Sequence, residues 1–321
     1  MMEMFDVTSL GELLIDFTPS GSQGEFMRNP GGAPANVLAA LAKLGRRTGF
    51  IGKVGDDQFG RYLKQVLEEN DIDAGGLLFS PDVRTTLAFV HLDKEGDRSF
   101  SFYRNPGADM MIEAAEVNKE MVKHTRIFHF GSLSLTEDPA RSATLEAVRY
   151  ARECGTTVSY DPNYREKLWK NEEEAVRWMK EGMRHADIVK LSEEEFRLLA
   201  GDLDLQGGSA FLAEQFAIPL LLVTLGSEGS YYRCGRDSGK IGSFKVNAAD
   251  STGAGDSFMG SFLHQFLLSE LKPGELNRER LEEMVLYANA AAALSVTRKG
   301  AIPSMPGPVE IENLLRKGAK S

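Results

Sequence analysis

Short apolar runs with strand character alternate with amphipathic helical stretches along almost the whole chain. The runs "RIFHFGS", "TTVSYDP", "ADIVKLS" and "PLLLVTLG" are typical of buried strands, and helical sequence separates each run from the next. This order predicts βαβ units and therefore an α/β fold with a doubly wound, mainly parallel sheet. Because no low-complexity linker or internal repeat divides the 321 residues, we expect one domain over residues 1–321.

Two stretches interrupt this order. "TTLAFVHL" and "RSFSFYR" are two β-runs joined by "DKEGD", which is the pattern of a hairpin. The polar stretch from Gly21 to Pro30 also lacks helical periodicity. We expect the two excursions, about residues 12–31 and 84–108, to build a small β-lid over the strand ends, where ligands bind in such sheets. The alternative is that the hairpin extends the main sheet with antiparallel strands.

Composition excludes several classes of partner. The net charge of -10 argues against nucleic acid or an anionic membrane surface as the main partner. No run approaches the ~18 apolar residues that a membrane span needs. Cys154 and Cys234 are the two cysteines, and their wide separation in sequence predicts neither a disulfide framework nor a zinc site. The opening "MMEMFDV" lacks a secretory pattern, so the expected compartment is the reducing cytoplasm.

The stretch "DSTGAGDSFMGSF" places a Gly-Ala-Gly turn ahead of an apolar helix, with an acid directly behind the turn. Two interpretations stay open on these residues alone. Asp256 could be an N-cap that satisfies the first N–H groups of the helix. Alternatively, Gly253, Ala254 and Gly255 form a nest of N–H donors for a developing phosphate charge. Asp256 would then be a base that takes a proton from the attacking hydroxyl.

A second group of residues suits the binding of hydroxyls. Gly31 and Gly32 precede a helix and let a ligand approach the backbone, while Asn36 in its first turns offers a donor and an acceptor. Asp16 ends the apolar strand in "GELLIDFTP", where its carboxylate can accept bonds from two vicinal hydroxyls. For Gly31, Gly32 and Asn36 the alternative is a flexible turn followed by an Asn that faces solvent. The P-loop pattern and the dinucleotide fingerprint are absent, which disfavours P-loop enzymes and nicotinamide oxidoreductases.

Three segments resemble those of the ribokinase, or PfkB-type, carbohydrate kinases. The resemblance extends from about Asp6 to Pro306. The three segments are the GAGD motif, "GGAPANVLAALAKLG" and "VTLGSEGSYY". Within that family "FYRNPGADMMI", "FHFGSLSL" and "SYDPNYREKLW" are most similar to fructokinases. The resemblance implies a ribokinase-like fold and ATP-dependent phosphorylation of a sugar hydroxyl, foremost D-fructose to fructose 6-phosphate. It also implies ATP and Mg²⁺ as cofactors, with K⁺ as a monovalent activator.

The resemblance assigns a role to each matching position. Asp256 is the catalytic base, and the N–H groups of Gly253, Ala254 and Gly255 form the anion hole. The sugar site comprises Asp16, Gly31, Gly32, Asn36, Phe102, Arg104 and Arg165. The ATP site comprises Lys190, Ser192, Glu195, Thr224, Gly226, Gly229 and Asn289. The monovalent cation site comprises Asp250, Thr252, Ser295, Arg298, Gly300 and Ser304.

The segment "KLSEEEF" matches the K-P-N-x-x-E pattern of this family with two departures. Lys190 and Glu195 are in place, but Leu191 and Ser192 stand where Pro and Asn are usual. Glu195 is expected to act on Mg²⁺ through water, since carboxylate oxygen suits that ion. Without the resemblance, the same residues read as a helix N-cap followed by acids that the helix dipole favours.

Several other functions compete with fructokinase. A 2-keto-3-deoxygluconate kinase needs cations for the substrate carboxylate, and Arg104 with Arg165 could supply them. An aminoimidazole riboside kinase or another nucleoside kinase comes next. A non-catalytic, sugar-binding regulatory protein could share the fold, although the intact Asp256 weighs against it. The sequence leaves the oligomeric state open, although an exposed β-lid offers an edge at which two copies could pair as a homodimer.

Overall fold

The computed structural model describes residues 3–20, 24–92 and 98–318. Its strands are β1 (Phe5–Leu10), β2 (Leu14–Pro19), β3 (Phe26–Gly31), β4 (Thr48–Gly55), β5 (Ile72–Ser80), β6 (Leu87–Leu92), β7 (Arg98–Tyr103), β8 (Thr125–Gly131), β9 (Thr157–Asp161), β10 (Ile188–Ser192), β11 (Leu220–Thr224), β12 (Ser230–Cys234) and β13 (Asp237–Ile241). Its helices are α1 (Ala33–Lys43), α2 (Gln58–Glu69), α3 (Lys119–Lys123), α4 (Ala140–Glu153), α5 (Glu172–Met183), α6 (Glu193–Ala200), α7 (Leu205–Phe216), α8 (Ala254–Ser269), α9 (Arg278–Ser295) and α10 (Pro308–Gly318).

The main sheet confirms the predicted doubly wound architecture. It contains nine strands in the order β13-β12-β11-β10-β9-β8-β1-β4-β5. All pairs from β11 to β5 are parallel, and only β12 and β13 add antiparallel strands at one edge. The carboxyl ends of β8, β9, β10 and β11 therefore meet along one side of the sheet, which is where ligands bind in such folds.

Helices cover both faces of the main sheet, and each face has its own apolar core. On one face, side chains of α1 and α8 such as Val37, Leu41 and Phe262 pack with strand residues. On the other face, Val148 of α4 and Met179 of α5 do the same. A sheet that is buried on both faces needs near-continuous apolar strands, which explains the runs in the sequence.

The two excursions form a second sheet of four strands in the order β3-β2-β6-β7. The hairpin is therefore not an extension of the main sheet, and the prediction of a small separate sheet is confirmed. Asp16 is paired with Ala88, and Ala88 is paired with Phe102. Because directly paired residues share a face of a sheet, Asp16 and Phe102 lie on the same face of this small sheet.

The opening run "FDVTSLGELLIDF" is divided between the two sheets. β1 lies in the main sheet, β2 lies in the small one, and residues 11–13 connect them. A Cβ on Gly11 would lie 2.6 Å from Cγ of Pro34, so the connection passes close to the start of α1. Within the described ranges, every helix is too short or too polar to cross a membrane.

Candidate active site

α8 begins at the Gly-Ala-Gly turn for which the sequence predicts an anion site. Gly253 is the N-cap residue, with a φ of 79°, and no side chain among the described residues caps the helix. A Cβ on Gly253 would lie 2.8 Å from that of Ala301, so both the backbone conformation and the close packing favour glycine. The N–H of Ala254 donates 3.2 Å to the carbonyl of Ser251, so it would bind an anion only by exchanging that bond, whereas the N–H of Gly255 has no acceptor within the helix.

Asp256 is the third residue of α8 and is not its cap. Its side chain is buried, and its Oδ2 accepts a 2.8 Å hydrogen bond from Nδ2 of Asn36 in α1. Oδ1 of Asn36 is buried without a hydrogen-bond partner in the described part of the chain. An amide oxygen in that position suits a donor from a ligand, such as a sugar hydroxyl.

Burial raises the pKa of Asp256 to about 6. The nearby charge of Asp161 also raises it, whereas Lys190, Asn36 and Arg165 lower it. The carboxylate is thus ionised at neutral pH but has a higher proton affinity than an exposed aspartate. A general base works best when its pKa lies near the operating pH, so this environment favours proton abstraction.

A buried ion pair lies beside the start of α8. Nζ of Lys190 is 2.7 Å from Oδ2 of Asp161, and both side chains are almost fully buried. The same Nζ is 2.9 Å from where a Cβ on Gly255 would lie. Burial alone would lower the pKa of Lys190, but the charges of Asp161, Glu195 and Asp256 outweigh it and raise the pKa. A permanent positive charge therefore lies next to the anion-binding turn.

Glu195 accepts hydrogen bonds from the backbone of two separate segments in this region. Its Oε2 accepts a 2.7 Å hydrogen bond from the N–H of Ser192, which completes a capping box at the start of α6. Its Oε1 accepts 2.7 Å from the N–H of Tyr164, in the loop that follows Asp161. Each oxygen keeps a lone pair, so the carboxylate still fits a water-mediated contact with Mg²⁺. That contact stays a prediction.

Asp16 lies on β2 of the small sheet. Burial raises its pKa to about 6, and the charge of Arg165 opposes that shift. Its Oδ2 lies 2.2 Å from where a Cβ on Gly31 would be, so a side chain at Gly31 would displace the Asp16 carboxylate. Arg165 is exposed and donates 2.9 Å to the carbonyl of Tyr164. Because the charge of Arg165 acts on both Asp16 and Asp256, these three side chains lie near one another.

Gly32 and Arg104, two other residues predicted for the sugar site, have different surroundings. Gly32 is the N-cap residue of α1 with a φ of 122°, and a Cβ there would lie 2.4 Å from the carbonyl oxygen of Glu12. Arg104 is buried, and its Nε lies 2.7 Å from Oδ2 of Asp109. Its other nitrogens donate to Thr136 and to the carbonyl of Leu133. The guanidinium of Arg104 is thus bonded within the protein.

The remaining residues predicted for ATP lie at the end of β11 and on α9. Thr224 ends that strand, and Gly226 and Gly229 follow with φ values of 58° and 100°. A Cβ on Gly229 would lie 2.0 Å from the carbonyl oxygen of Ile241, so this turn requires glycine. The amide of Asn289 is engaged by the protein: it donates to the carbonyls of Ile241 and Gly242 and accepts from Ser230. Its contact with adenine stays a prediction.

The residues predicted for a monovalent cation lie on two adjoining loops. Oδ1 of Asp250 accepts from the N–H and hydroxyl of Thr252, and Oδ2 accepts 3.0 Å from the N–H of Gly300. Ser295 and Ser304 donate to carbonyls within their own turns, and Arg298 pairs with Glu310. No group of three or more His, Cys, Asp or Glu residues able to hold a metal occurs in the described ranges. A cation here would depend on carbonyl and hydroxyl oxygens.

Asp161, Glu12 and Asp109 were not predicted as parts of the site. Asp161 pairs with Lys190, while Glu12 accepts 3.0 Å from the N–H of Ala33. The signal for Asp161 was present, because the residue ends a buried strand in "SYDPNYR". Glu12 and Asp109 carried no such signal, since their importance depends on burial.

A helix end without a side-chain cap, a buried carboxylate in its first turn and a second small sheet beside a parallel main sheet agree with the ribokinase-like fold. The chain belongs to the pfkB family: the match described as "pfkB family carbohydrate kinase" covers residues 4–308. It is therefore a carbohydrate kinase.

The relatives and solved structures agree with this family. "Fructokinase-1" of Oryza sativa subsp. japonica is 44% identical over 316 residues, which cover 96% of this chain and 97% of the rice protein. A fructokinase from Xylella fastidiosa, solved with bound ATP, superposes with a TM-score of 0.92 at 34% identity and covers 98% of this chain and 100% of its own. A fructokinase from Vibrio cholerae O395, bound to fructose, ADP and calcium ion, superposes with a TM-score of 0.88 at 34% identity, covering 97% of this chain and 99% of its own.

Proposed function

We propose that the chain is a fructokinase that transfers the γ-phosphoryl group of ATP to D-fructose and forms fructose 6-phosphate. The observation that carries this proposal is the buried Asp256, bonded to Asn36 beside the uncapped N-terminus of α8. The relatives at 41–44% identity carry fructokinase names, and the Vibrio structure holds fructose and ADP. These names and ligands support the choice of sugar and of nucleotide.

The reaction would need little covalent chemistry from the protein. Asp256 takes the proton from the 6-hydroxyl as the oxygen bonds to the γ-phosphorus and the bond to the β-phosphate oxygen breaks. The N–H groups of Gly253, Ala254 and Gly255, with the nearby Lys190, stabilise the charge on the transferred phosphoryl group. Mg²⁺, held through water by Glu195, would neutralise the phosphate oxygens. Asp16 holds sugar hydroxyls beneath the small sheet, which excludes water as a lid.

We also propose K⁺ as the monovalent activator. The segments that carry Asp250 and Gly300 adjoin through the bond between them. The predicted ligands, mostly through their carbonyls, are Asp250, Thr252, Ser295, Arg298, Gly300 and Ser304. A double mutant of the Vibrio fructokinase was solved with fructose, ADP and potassium ion bound, which supports this choice. Replacing K⁺ by Na⁺ in the assay buffer should lower kcat, and equal rates in both salts would contradict the proposal.

Substrate choice is the first test of the proposed function. We expect kcat/KM for fructose to exceed that for 2-keto-3-deoxygluconate by at least ~10-fold, which corresponds to about 1.4 kcal/mol. The pairing of Arg104 with Asp109 supports this direction, because the guanidinium already has a carboxylate partner. An ATP-consumption assay across fructose, ribose, 2-keto-3-deoxygluconate and aminoimidazole riboside measures the ratio.

A control variant separates the rival kinase from the proposed one. A site made for the keto acid would use Arg165 to bind its carboxylate, where a bidentate arginine is strong. Arg165→Lys should then lose activity selectively on the keto acid. If the keto acid is preferred and the Lys variant shows that selective loss, the chain is a 2-keto-3-deoxygluconate kinase. Preference for the riboside would point to a nucleoside kinase, and consumption of no ATP to a regulatory sugar-binding protein.

We propose that two copies associate through the small sheet. β3 and β7 are its outer strands, and both present large apolar side chains to solvent. Phe26 and Met27 of β3 are 41% and 47% exposed, and Tyr103 of β7 is 67% exposed. Outer strands with apolar side chains favour pairing with a second chain. Sedimentation velocity should show a dimer that Tyr103→Asp weakens, and a monomeric wild type would contradict this proposal.

We propose the cytoplasm as the site of action. Cys154 and Cys234 are both free thiols, as expected in a reducing compartment. Fractionation of cells that produce the chain would test this, and recovery outside the cytoplasm would contradict it.

A further inference from the structure

Glu12 is a buried acid that the proposed reaction does not use. It lies in the connection between β1 and β2, and its side chain is only 3% exposed. Its Oε1 accepts 3.0 Å from the N–H of Ala33, the first residue of α1. Its Oε2 is buried without a hydrogen-bond partner in the described ranges. A buried acid with an unpaired oxygen costs stability, so its presence calls for another reason.

The contact joins the two halves of the sugar site. Glu12 is four residues before Asp16, on the chain segment that leads into the small sheet. Ala33 follows Gly32 directly and is one turn of α1 before Asn36. The hydrogen bond from Ala33 to Glu12 therefore fixes the strand that carries Asp16 relative to the helix that carries Asn36.

Glu12 is also electrostatically coupled to the remaining connections between the sheets. The charges of Asp109 and Arg104 act on it, and they lie just after β7. Asp109 in turn accepts from the hydroxyl of Thr86, just before β6. The Glu12 cluster, which we define as Glu12, Thr86, Arg104 and Asp109, thus includes residues from three of the four connections, and Ala33 adds the fourth.

We propose that Glu12 is a positioning residue for sugar binding, which sets the geometry of Asn36 and Gly32 against Asp16 by holding the first N–H of α1. The proposal rests on the proposed sugar-kinase function. Replacing Glu12 should therefore weaken the productive binding of sugar more than that of ATP, whose predicted site lies around β10, β11 and α8.

The ionisation of Glu12 provides a readout that a merely structural residue would lack. Burial raises its pKa to about 7; Asp109 adds to this, while the backbone N–H bonds and Arg104 oppose it. A carboxylate accepts a stronger hydrogen bond than a carboxylic acid. The hydrogen bond from the N–H of Ala33 to Glu12 should therefore strengthen as the pH rises through about 7. Glu12→Gln keeps an oxygen acceptor for Ala33 but cannot ionise, so it removes this pH dependence alone.

The test is steady-state kinetics of the full chain with fructose and ATP varied in turn. We expect Glu12→Ala to raise KM for fructose by at least ~10-fold and KM for ATP by less than about 2-fold. For Glu12→Gln, the ratio of its KM for fructose to that of wild type should be near 1 at pH 6 and rise by pH 8. Asp16 titrates in both proteins, so its contribution cancels in this ratio.

Asp57→Asn is a matched control. The Asp57 carboxylate also accepts from the N-terminus of a helix, α2, and from the N–H of Thr85 in a connection to the small sheet. However, α2 carries none of the predicted sugar contacts. We expect Asp57→Asn to lower the thermal midpoint and leave KM for fructose unchanged.

Three results would overturn the proposal. They are equal effects of Glu12→Ala on both KM values, a ratio for Glu12→Gln that does not vary with pH, and a matching rise in KM for Asp57→Asn. If Glu12→Ala does not fold, the pH series on Glu12→Gln decides alone. If wild type phosphorylates fructose and one of these results is observed, only the role of Glu12 is contradicted. A wild type that phosphorylates no sugar would remove the proposed function as well.

Discussion

Replacing Asp256 with Asn should lower kcat by at least ~10²-fold, the usual scale for a general base. Asn is nearly isosteric, and its amide oxygen can still accept the bond from Asn36, so both KM values should stay close to those of wild type. What the variant loses is the capacity to take a proton from the sugar hydroxyl. A coupled assay of ADP release under saturating fructose and ATP measures the effect.

Thermal unfolding serves as the control for this variant. The pKa of Asp256 is raised from 3.8 to about 6 in the folded protein, so ionisation of the buried group destabilises the fold progressively between those pH values. At pH 8 the variant should therefore have a thermal midpoint equal to or above that of wild type. Near-wild-type turnover would reduce Asp256 to a structural residue.

The pH profile of wild type provides an independent check on the same assignment. The base must be ionised to act, and its pKa is about 6. Accordingly, kcat should rise with pH through about 6 and reach a plateau near pH 7. The residual activity of Asp256→Asn should lack this rise.

Replacing Asp16 with Ala should raise KM for fructose by roughly 10- to 100-fold, since a hydrogen bond to a charged acceptor contributes about 1.5–3 kcal/mol. KM for ATP should change far less, because Asp16 lies on the small sheet, whereas the residues predicted for ATP lie on the main sheet and its flanking helices. Separate titrations of sugar and nucleotide measure the two constants. Equal increases in both would show that Asp16 is structural and that the sugar pocket is misplaced.

Most of the main sheet could be predicted because its signals are local. A buried strand such as β11 is a short apolar run, and a helix such as α2 repeats its apolar residues on one face. The division of the opening run between two sheets could not be predicted in this way. It depends on the close contact of Gly11 with Pro34, which forms only when distant parts of the chain meet.

The candidate site was predictable where motifs carry it and not where burial does. Asp256, Asn36 and Asp16 stand in recognisable segments. The structure bonds Asn36 to Asp256, and the charge of Arg165 acts on both Asp256 and Asp16. The ion pair of Lys190 with Asp161 and the bond from Ala33 to Glu12 lack such signatures. An acid at the end of a strand becomes informative only when its surroundings exclude water.

Arg104 illustrates a limit of reasoning by position. The resemblance predicts that Arg104 contacts the sugar. In the structure Arg104 pairs with Asp109, only five residues further along the chain. Residues that are close in sequence can pair in many geometries, and the loop after β7 decides which one forms. The contact of Arg104 with the sugar stays a prediction. Any such contact would involve a guanidinium that already pairs with the carboxylate of Asp109.

The central claim is that this chain transfers the γ-phosphoryl group of ATP to the 6-hydroxyl of fructose. The most direct measurement is phosphorus NMR of the product formed from fructose, ATP and Mg²⁺, with Asp256→Asn run in parallel. We expect stoichiometric ADP and fructose 6-phosphate from wild type, and at least ~10²-fold slower formation by the variant. Phosphate on another hydroxyl, or no phosphorylated fructose from an enzyme that consumes ATP on a different sugar, would contradict it.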